Sequence, residues 1–275
     1  MDGRLADADA GHRRRRTRGT RELAVFQVME MRSLIGLLLL WPLVRAAGGL
    51  AALQTLRLRD HATRNLVHYA AQYAWFAALT MIPLAQVVAI EFTMPIWIIL
   101  LAAVFLGERI TAWKLLAVAL GLCGVALIVR PSATGLSPGQ LVALAAALGF
   151  AVSVTMVKSL TGTDSALAII FWMLVVQSIL GLLPALWVWR WPSPATWGWV
   201  VVIAFCGTFS HYCMARAMRH ADATVVMPMD YLRVPLTALA GWLVYAERLD
   251  LFTVAGTVLI LAGNLLNLRG AGRPT

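Results

Sequence analysis

This sequence has little charge. Asp, Glu, Lys and Arg together make up 13% of its 275 residues, against 60% hydrophobic, and the mean hydropathy is +0.77. A soluble globular domain carries roughly 25% charged residues. In water this chain would leave most of its surface greasy, so it reads as an integral membrane protein. Cysteine is scarcer still, at three residues. Cys123, Cys206 and Cys213 lie inside apolar runs with no CxxC and no Cys/His cluster, which argues against a disulfide framework and a zinc site. Residues 1–20 hold no apolar h-region, so no secretory signal precedes the first span, which must act as its own insertion signal. Enzymatic signatures are missing as well: there is no HExxH, no GxSxG, no paired intramembrane Asp motif and no P-loop. GTFSHY at 207–212 lacks the spacing of a Ser/His site. Neither catalysis, a cofactor, a metal nor ATP-driven pumping is expected.

The charges that are present serve topology. The net charge is +10, but seven arginines sit in the first 21 residues and most others flank apolar runs. That distribution fits membrane orientation rather than a nucleic-acid groove. Apolar spans fall near 23–44, 65–82, 84–106, 112–130, 139–159, 166–189, 197–218, 222–245 and 251–268, each close to the ~20 residues a bilayer crossing needs. If the basic 45–64 loop is cytoplasmic, that side collects eleven Lys/Arg (45, 57, 59, 64, 109, 114, 158, 216, 219, 269, 273) and the other side three (130, 190, 248). The C-terminus is then cytoplasmic. The same topology places the tail with HRRRRTRGTRE outside, which conflicts with its charge.

An internal repeat organises the chain. Shifted by 139 residues, 107–130 matches 246–269 at seven of 24 positions, including Glu108/Glu247, Arg109/Arg248, Gly124/Gly263 and Arg130/Arg269. Upstream, AQVVA (85–89) matches ATVVM (223–227), and Pro95 falls near Pro235. Five spans, an odd number, separate the two Glu-Arg pairs, so they face opposite sides of the membrane and the repeat is inverted. Inverted repeats mark alternating-access carriers with a midplane site.

FTMPIWIILLAAVFLGERITAWKLLAVALGLCGVALIV and YLRVPLTALAGWLVYAERLDLFTVAGTVLILAGNLLN resemble the two EamA domains of the drug/metabolite transporter superfamily. The resemblance implies an all-α polytopic bundle of two inverted helical halves: a first repeat over 23–131 with four helices, and a second over 138–269 with five. Residues 1–22 form an Arg-rich polar tail expected to be disordered, and 270–275 a cytoplasmic tail. The family has ten helices and nine are legible here. The first family helix has no counterpart, so an incomplete or mis-started chain is expected, or else a nine-helix variant. The resemblance further implies a permease in the bacterial inner membrane, with lipid and a small molecule as partners. Proton coupling and a homodimer are compatible with it.

Glu91 lies two turns into an apolar span with no basic residue in its helix. It is either a cation or proton site or a carboxyl reaching the interface; Arg32 is a candidate counter-ion. Asp230 and Arg233 sit three apart on one helix face at the equivalent depth. They either neutralise each other or hold a substrate's charged groups. Pro228 and Pro235 bracket them and are expected to kink or unwind that helix. His68, Tyr69, Gln72 and Tyr73 form one polar-aromatic stripe, and His211 and Tyr212 fall in the corresponding helix of the second half. These line a cavity or belong to an interfacial belt. Trp172 and Gln177 are further candidates. The motif residues Glu108, Arg109, Glu247 and Arg248 are expected to cap helix turns and anchor them, with Pro95 and Pro235 as structural partners. Gly139, Ala143, Ala147, Ala151, Thr155 and Ser159 repeat every four residues as a close-packing stripe. The reading is a secondary carrier of a small organic metabolite: an amino-acid derivative, or a compound like S-adenosylmethionine, riboflavin or a drug. A non-transporting derivative of such a carrier is the alternative.

Overall fold

A computed structural model describes residues 23–82, 84–129, 137–236, 239, 243 and 251–271. The tail at 1–22, Arg130, the second Glu-Arg pair at Glu247 and Arg248, and residues 272–275 lie outside the described residues. Within them the chain is helical with no strand, as an apolar backbone in lipid must be if its N–H and C=O groups are to find partners. The elements are α1 (Val25–Ala46), a 3-10 turn (Gly49–Leu53), α2 (Leu58–Met81), α3 (Leu84–Glu91), α4 (Met94–Leu106), α5 (Ala112–Val129) and α6 (Pro138–Leu160). They continue as α7 (Ala166–Trp187), α8 (Pro194–His220), α9 (Ala223–Val226), a second 3-10 turn (Met227–Leu232) and α10 (Leu251–Ala271). By length and composition α1, α6, α7 and α8 can each cross a membrane, and α4, α5 and α10 carry shorter apolar stretches. Side chains such as Leu38, Val104 and Leu183 are about three-quarters exposed, which suits hydrocarbon and not water.

Two of the nine expected spans are not continuous helices. The span at 84–106 breaks at Phe92 and Thr93 into α3 and α4. Pro95 explains the break: it has no N–H to give, and its ring would clash with the carbonyl of Glu91 one turn back. In the second repeat only Ala223–Val226 is α-helical before Pro228 and the chain tighten into the 3-10 turn Met227–Leu232. Each break carries a carboxylate: Glu91 ends α3, and Asp230 lies within the 3-10 turn. Under the 139-residue shift these two acids are the same position.

The helices group into two compact units that do not follow the sequence repeats: residues 1–54 with 170–212, and residues 55–169 with 213–275. In the larger unit, the last helices of the two repeats, α5 and α10, lie against each other through glycine. A Cβ on Gly124 would come 2.6 Å from the Gly256 carbonyl oxygen, and one on Gly263 would come 2.9 Å from that of Ala117. Gly124 is repeat-equivalent to Gly263, and Ala117 to Gly256. The contact is therefore reciprocal, in the manner of a two-fold axis.

The stripe on α6 serves α2 and the turn that follows it. Gly139 abuts Met81 and Ile82, Ala143 joins a cluster with Ala78 and Val87, and Ser159 accepts from Arg57 through its carbonyl and its hydroxyl, both at 2.9 Å. At the same end His61, fully buried, places Nε2 2.7 Å from the Asp164 carboxylate. Burial pushes the Asp164 carboxyl up, but hydrogen bonds from His61, Thr55 and Thr163 outweigh it and hold the group below its ordinary value. Burial also holds the His61 imidazole below its usual 6.5, with Asp164 opposing. The native pair is thus a neutral imidazole donating to a carboxylate. Below about pH 6.5 the unfolded chain takes up a proton that the folded one refuses, so acid removes stability. The thermal midpoint is expected to fall between pH 7 and pH 5, and His61→Gln, which keeps a donor for Asp164, is expected to flatten that fall.

The smaller unit joins α1, the first 3-10 turn, α7 and α8. A Cβ on Gly36 would meet Thr208 Oγ1 at 2.7 Å and Leu174 at 2.9 Å, so α1 rests closely on both neighbours. Trp172 Nε1 donates to the Leu53 carbonyl at 3.0 Å, and Arg32 donates to Gln177 Oε1 at 2.9 Å.

Candidate functional site

The two broken helices of the larger unit bring three charges together. Arg233 Nη2 lies 2.9 Å from Glu91 Oε1 and 3.3 Å from Asp230 Oδ2, so two repeat-equivalent acids share one guanidinium. Glu91 Oε2 accepts a further bond from Trp75 Nε1 at 2.8 Å. The counter-ion of Glu91 is therefore Arg233. Arg32, the candidate from sequence, is held on Gln177. The guanidinium also stands over the Phe92 ring, 4.9 Å from its centroid.

Beneath the charges lies an apolar floor built on the same symmetry. Tyr231, fully buried, donates its hydroxyl to the Phe92 carbonyl at 3.0 Å, and the two rings are 5.7 Å apart. Tyr231 is the repeat partner of Phe92. Val125 and Ile260 complete the cluster. Gly121 gives the tyrosine its room, since a Cβ there would run into the ring. Floor and charges differ sharply in burial: Arg233 keeps 47% of its side chain exposed and Glu91 15%, while Phe92 keeps 2% and Tyr231 none. A guanidinium in that position can exchange one carboxylate for another anionic partner without being extracted from a sealed core.

Glu108 braces this arrangement from below. Its carboxylate accepts from the backbone N–H groups of Ala223 at 2.9 Å and Thr224 at 3.0 Å, and from the Thr224 hydroxyl at 2.6 Å. These are orphan donors at the start of α9, whose own N-cap residue Asp222 makes no side-chain capping bond. Gly107, at φ +68°, supplies the left-handed turn that ends α4 and aims Glu108 there. Lys114 approaches Asp222 at 3.5 Å and donates to the Arg109 carbonyl at 3.0 Å. Glu108→Ala is expected to lower stability by about 2 kcal/mol, the upper end for an N-cap, measured by thermal unfolding.

The other sequence candidates are dispersed. The expected stripe on α2 divides, because Tyr69 and Tyr73 are rotated about 100° from His68 and Gln72. His68 and Gln72 are buried, with His68 Nδ1 3.2 Å from Ser153 on α6, whereas Tyr73 is exposed. Trp172 and Gln177 make the ties within the smaller unit described above. His211 and Tyr212 are half-buried on α8. Tyr212 lines an apolar cavity of about 150 Å³ with Leu40, Phe205, Thr208 and Phe209. Trp75, Phe92 and Tyr231 escaped the sequence reading. The 139-residue shift pairs Phe92 with Tyr231, and that aromatic match beside the matched acids was the available signal.

The comparisons with known proteins decide the family. The EamA-like transporter family matches residues 17–130 and again residues 137–269. The chain belongs to the EamA-like transporter family. It is 33% identical over 226 residues to a riboflavin transporter of Rhizobium johnstonii, covering 82% of this chain and 75% of that protein. It is 28% identical to an S-adenosylmethionine uptake transporter of Rickettsia prowazekii (90% and 83% covered). With a pseudopaline exporter of Pseudomonas aeruginosa it shares 31% identity (87% and 84% covered). A crystal structure at 20% identity superposes with a TM-score of 0.79 over 93% of this chain and 91% of the other, which shows the shared fold. This EamA-like chain is accordingly a multi-pass membrane transporter of small molecules and not an enzyme.

Proposed function

We propose that this EamA-like protein is a secondary carrier for an amphipathic metabolite bearing both an anionic and a cationic group, and that it works by alternating access. One observation carries the reading: two repeat-equivalent acids, Glu91 and Asp230, converge on the half-exposed Arg233 where two helices break. Counted from the starts of α3 and α9, each acid is seven residues into its span, roughly 10 Å. In a hydrocarbon layer ~30 Å thick entered from opposite faces, both acids come within about 5 Å of the midplane. There the substrate's anionic group takes one face of the Arg233 fork, its cationic group takes the carboxylate so released, and its apolar part lies along Phe92. Riboflavin, S-adenosylmethionine and pseudopaline carriers among the relatives support a substrate of mixed polarity. The eleven-to-three bias of basic residues supports a bacterial inner-membrane topology with the C-terminus cytoplasmic.

The test is uptake into vesicles holding the purified protein, with labelled riboflavin, S-adenosylmethionine, pseudopaline and amino acids as the panel. Saturable uptake of at least one compound, competed by its zwitterionic analogues, is expected. Uptake of none, against empty vesicles, would end the carrier reading.

A further inference from the structure

We propose that Glu30 is a proton-binding site through which this carrier couples substrate movement to protons, an inference that rests on the carrier reading above. Glu30 lies on α1 in the smaller unit, 2% exposed, and its Oε2 has no hydrogen-bond partner. The polar side chains nearest along α1 are bonded to other partners. The Gln27 amide is held by the backbone N–H and carbonyl of Arg190, Ser33 donates to the Met29 carbonyl at 3.0 Å, and Arg32 donates to Gln177. Among the described residues, the other charged and titratable groups of the unit are Arg32 and Arg45 on α1, Arg190 in the connector, and Cys206, His211 and Tyr212 on α8; α7 has none. Among the described residues none of these forms an ion pair with Glu30.

Energetics then decide the form of the group. An unpaired carboxylate in such surroundings costs several kcal/mol, whereas the neutral acid costs only an incompletely used hydrogen-bonding oxygen. The neutral acid is therefore the favoured form of Glu30 in this arrangement. Other polar atoms of the unit stand ready for a second arrangement: Gln177 Nε2 and Ser178 Oγ on α7 and Thr208 Oγ1 on α8 are buried donors without partners. A movement of α1 that offers Glu30 these donors, or water, releases the proton; the return movement takes one up. No bond other than O–H forms or breaks.

Two readouts on the full-length protein in lipid vesicles test the proposal. In pH-difference infrared spectra, the carboxylic-acid C=O band of the wild type is expected to disappear in Glu30→Gln, to shift but persist in Glu30→Asp, and to remain in Glu91→Gln. A band unchanged in Glu30→Gln overturns the assignment. For transport, riboflavin and S-adenosylmethionine serve as probes under an inward gradient of one pH unit. One proton moving down that gradient supports about tenfold accumulation. The wild type is expected to approach that level, and Glu30→Gln to reach equal concentrations only. Accumulation that ignores the gradient in the wild type refutes coupling even if the band titrates. If neither probe nor any other panel compound moves in the wild type, the carrier reading and the coupling fall together, while the infrared band still decides whether Glu30 binds a proton.

Discussion

Arg233→Gln is expected to cut transport by roughly 30- to 100-fold and to lower the thermal midpoint at the same time. The single guanidinium compensates two carboxyl groups, at 2.9 and 3.3 Å. Truncating one partner of a buried, hydrogen-bonded charge pair costs about 2–5 kcal/mol. The 47% exposure of Arg233 places it at the low end, because solvent and salt screen part of the interaction. Two effects are mixed in that loss: two acids left without a cation, and a substrate left without its anchor. The double variants Arg233→Gln/Glu91→Gln and Arg233→Gln/Asp230→Asn separate them. Each removes one stranded acid, so the thermal midpoint is expected to recover in part while transport stays down. If transport recovers with stability, Arg233 is a brace and no ligand.

The second large effect is expected at the glycine contact of α5 and α10. Gly124→Leu and Gly263→Leu each drive a side chain into a backbone carbonyl, at 2.6 and 2.9 Å from the new Cβ, and neither helix offers a flexible end to yield. Overpacking of this kind costs about 1–3 kcal/mol, and a backbone obstacle puts both variants near the top of that range. For a chain of this size that is a fall of roughly 6–12 °C in the thermal midpoint. Because the contact is reciprocal, the two falls are expected to agree within a few degrees. Gly198, which has open space around it, is the control: Gly198→Ala is expected to leave the midpoint unchanged or raise it slightly. Unequal falls would mean that the two-fold relation between the repeats does not extend to their last helices.

These two sites show what a linear sequence can and cannot display. Glu91, Asp230 and Arg233 were visible because charge in an apolar run is costly and stands out, and Gly124 and Gly263 because they survive in both copies. The acids' convergence was not visible. It depends on Arg233 crossing 142 residues of sequence to reach Glu91, and on helix breaks whose positions are set jointly by Pro95, Pro228 and the packing of Tyr231 under Phe92. Glu108 teaches the same lesson. Its place beside Gly107 marked a helix end, but the donors it satisfies start another helix 115 residues later. The polar-aromatic stripe on α2 was overread, because i,i+4 pairs one residue apart in register look along different faces. At Glu30 it takes the tied-off amide of Gln27 and the bond from Arg32 to Gln177 to show that its polar neighbours along α1 are directed elsewhere.

The most direct test of the central claim is initial-rate uptake, in vesicles, of whichever panel compound the wild type moves, compared across Glu91→Gln, Asp230→Asn and a Tyr73→Phe control. The site described here predicts that both acid variants lose at least tenfold in uptake at low substrate, about 1.4 kcal/mol or more, while the control transports as the wild type does. Wild-type rates and affinities in Glu91→Gln and Asp230→Asn together would contradict it and place the substrate elsewhere in the molecule.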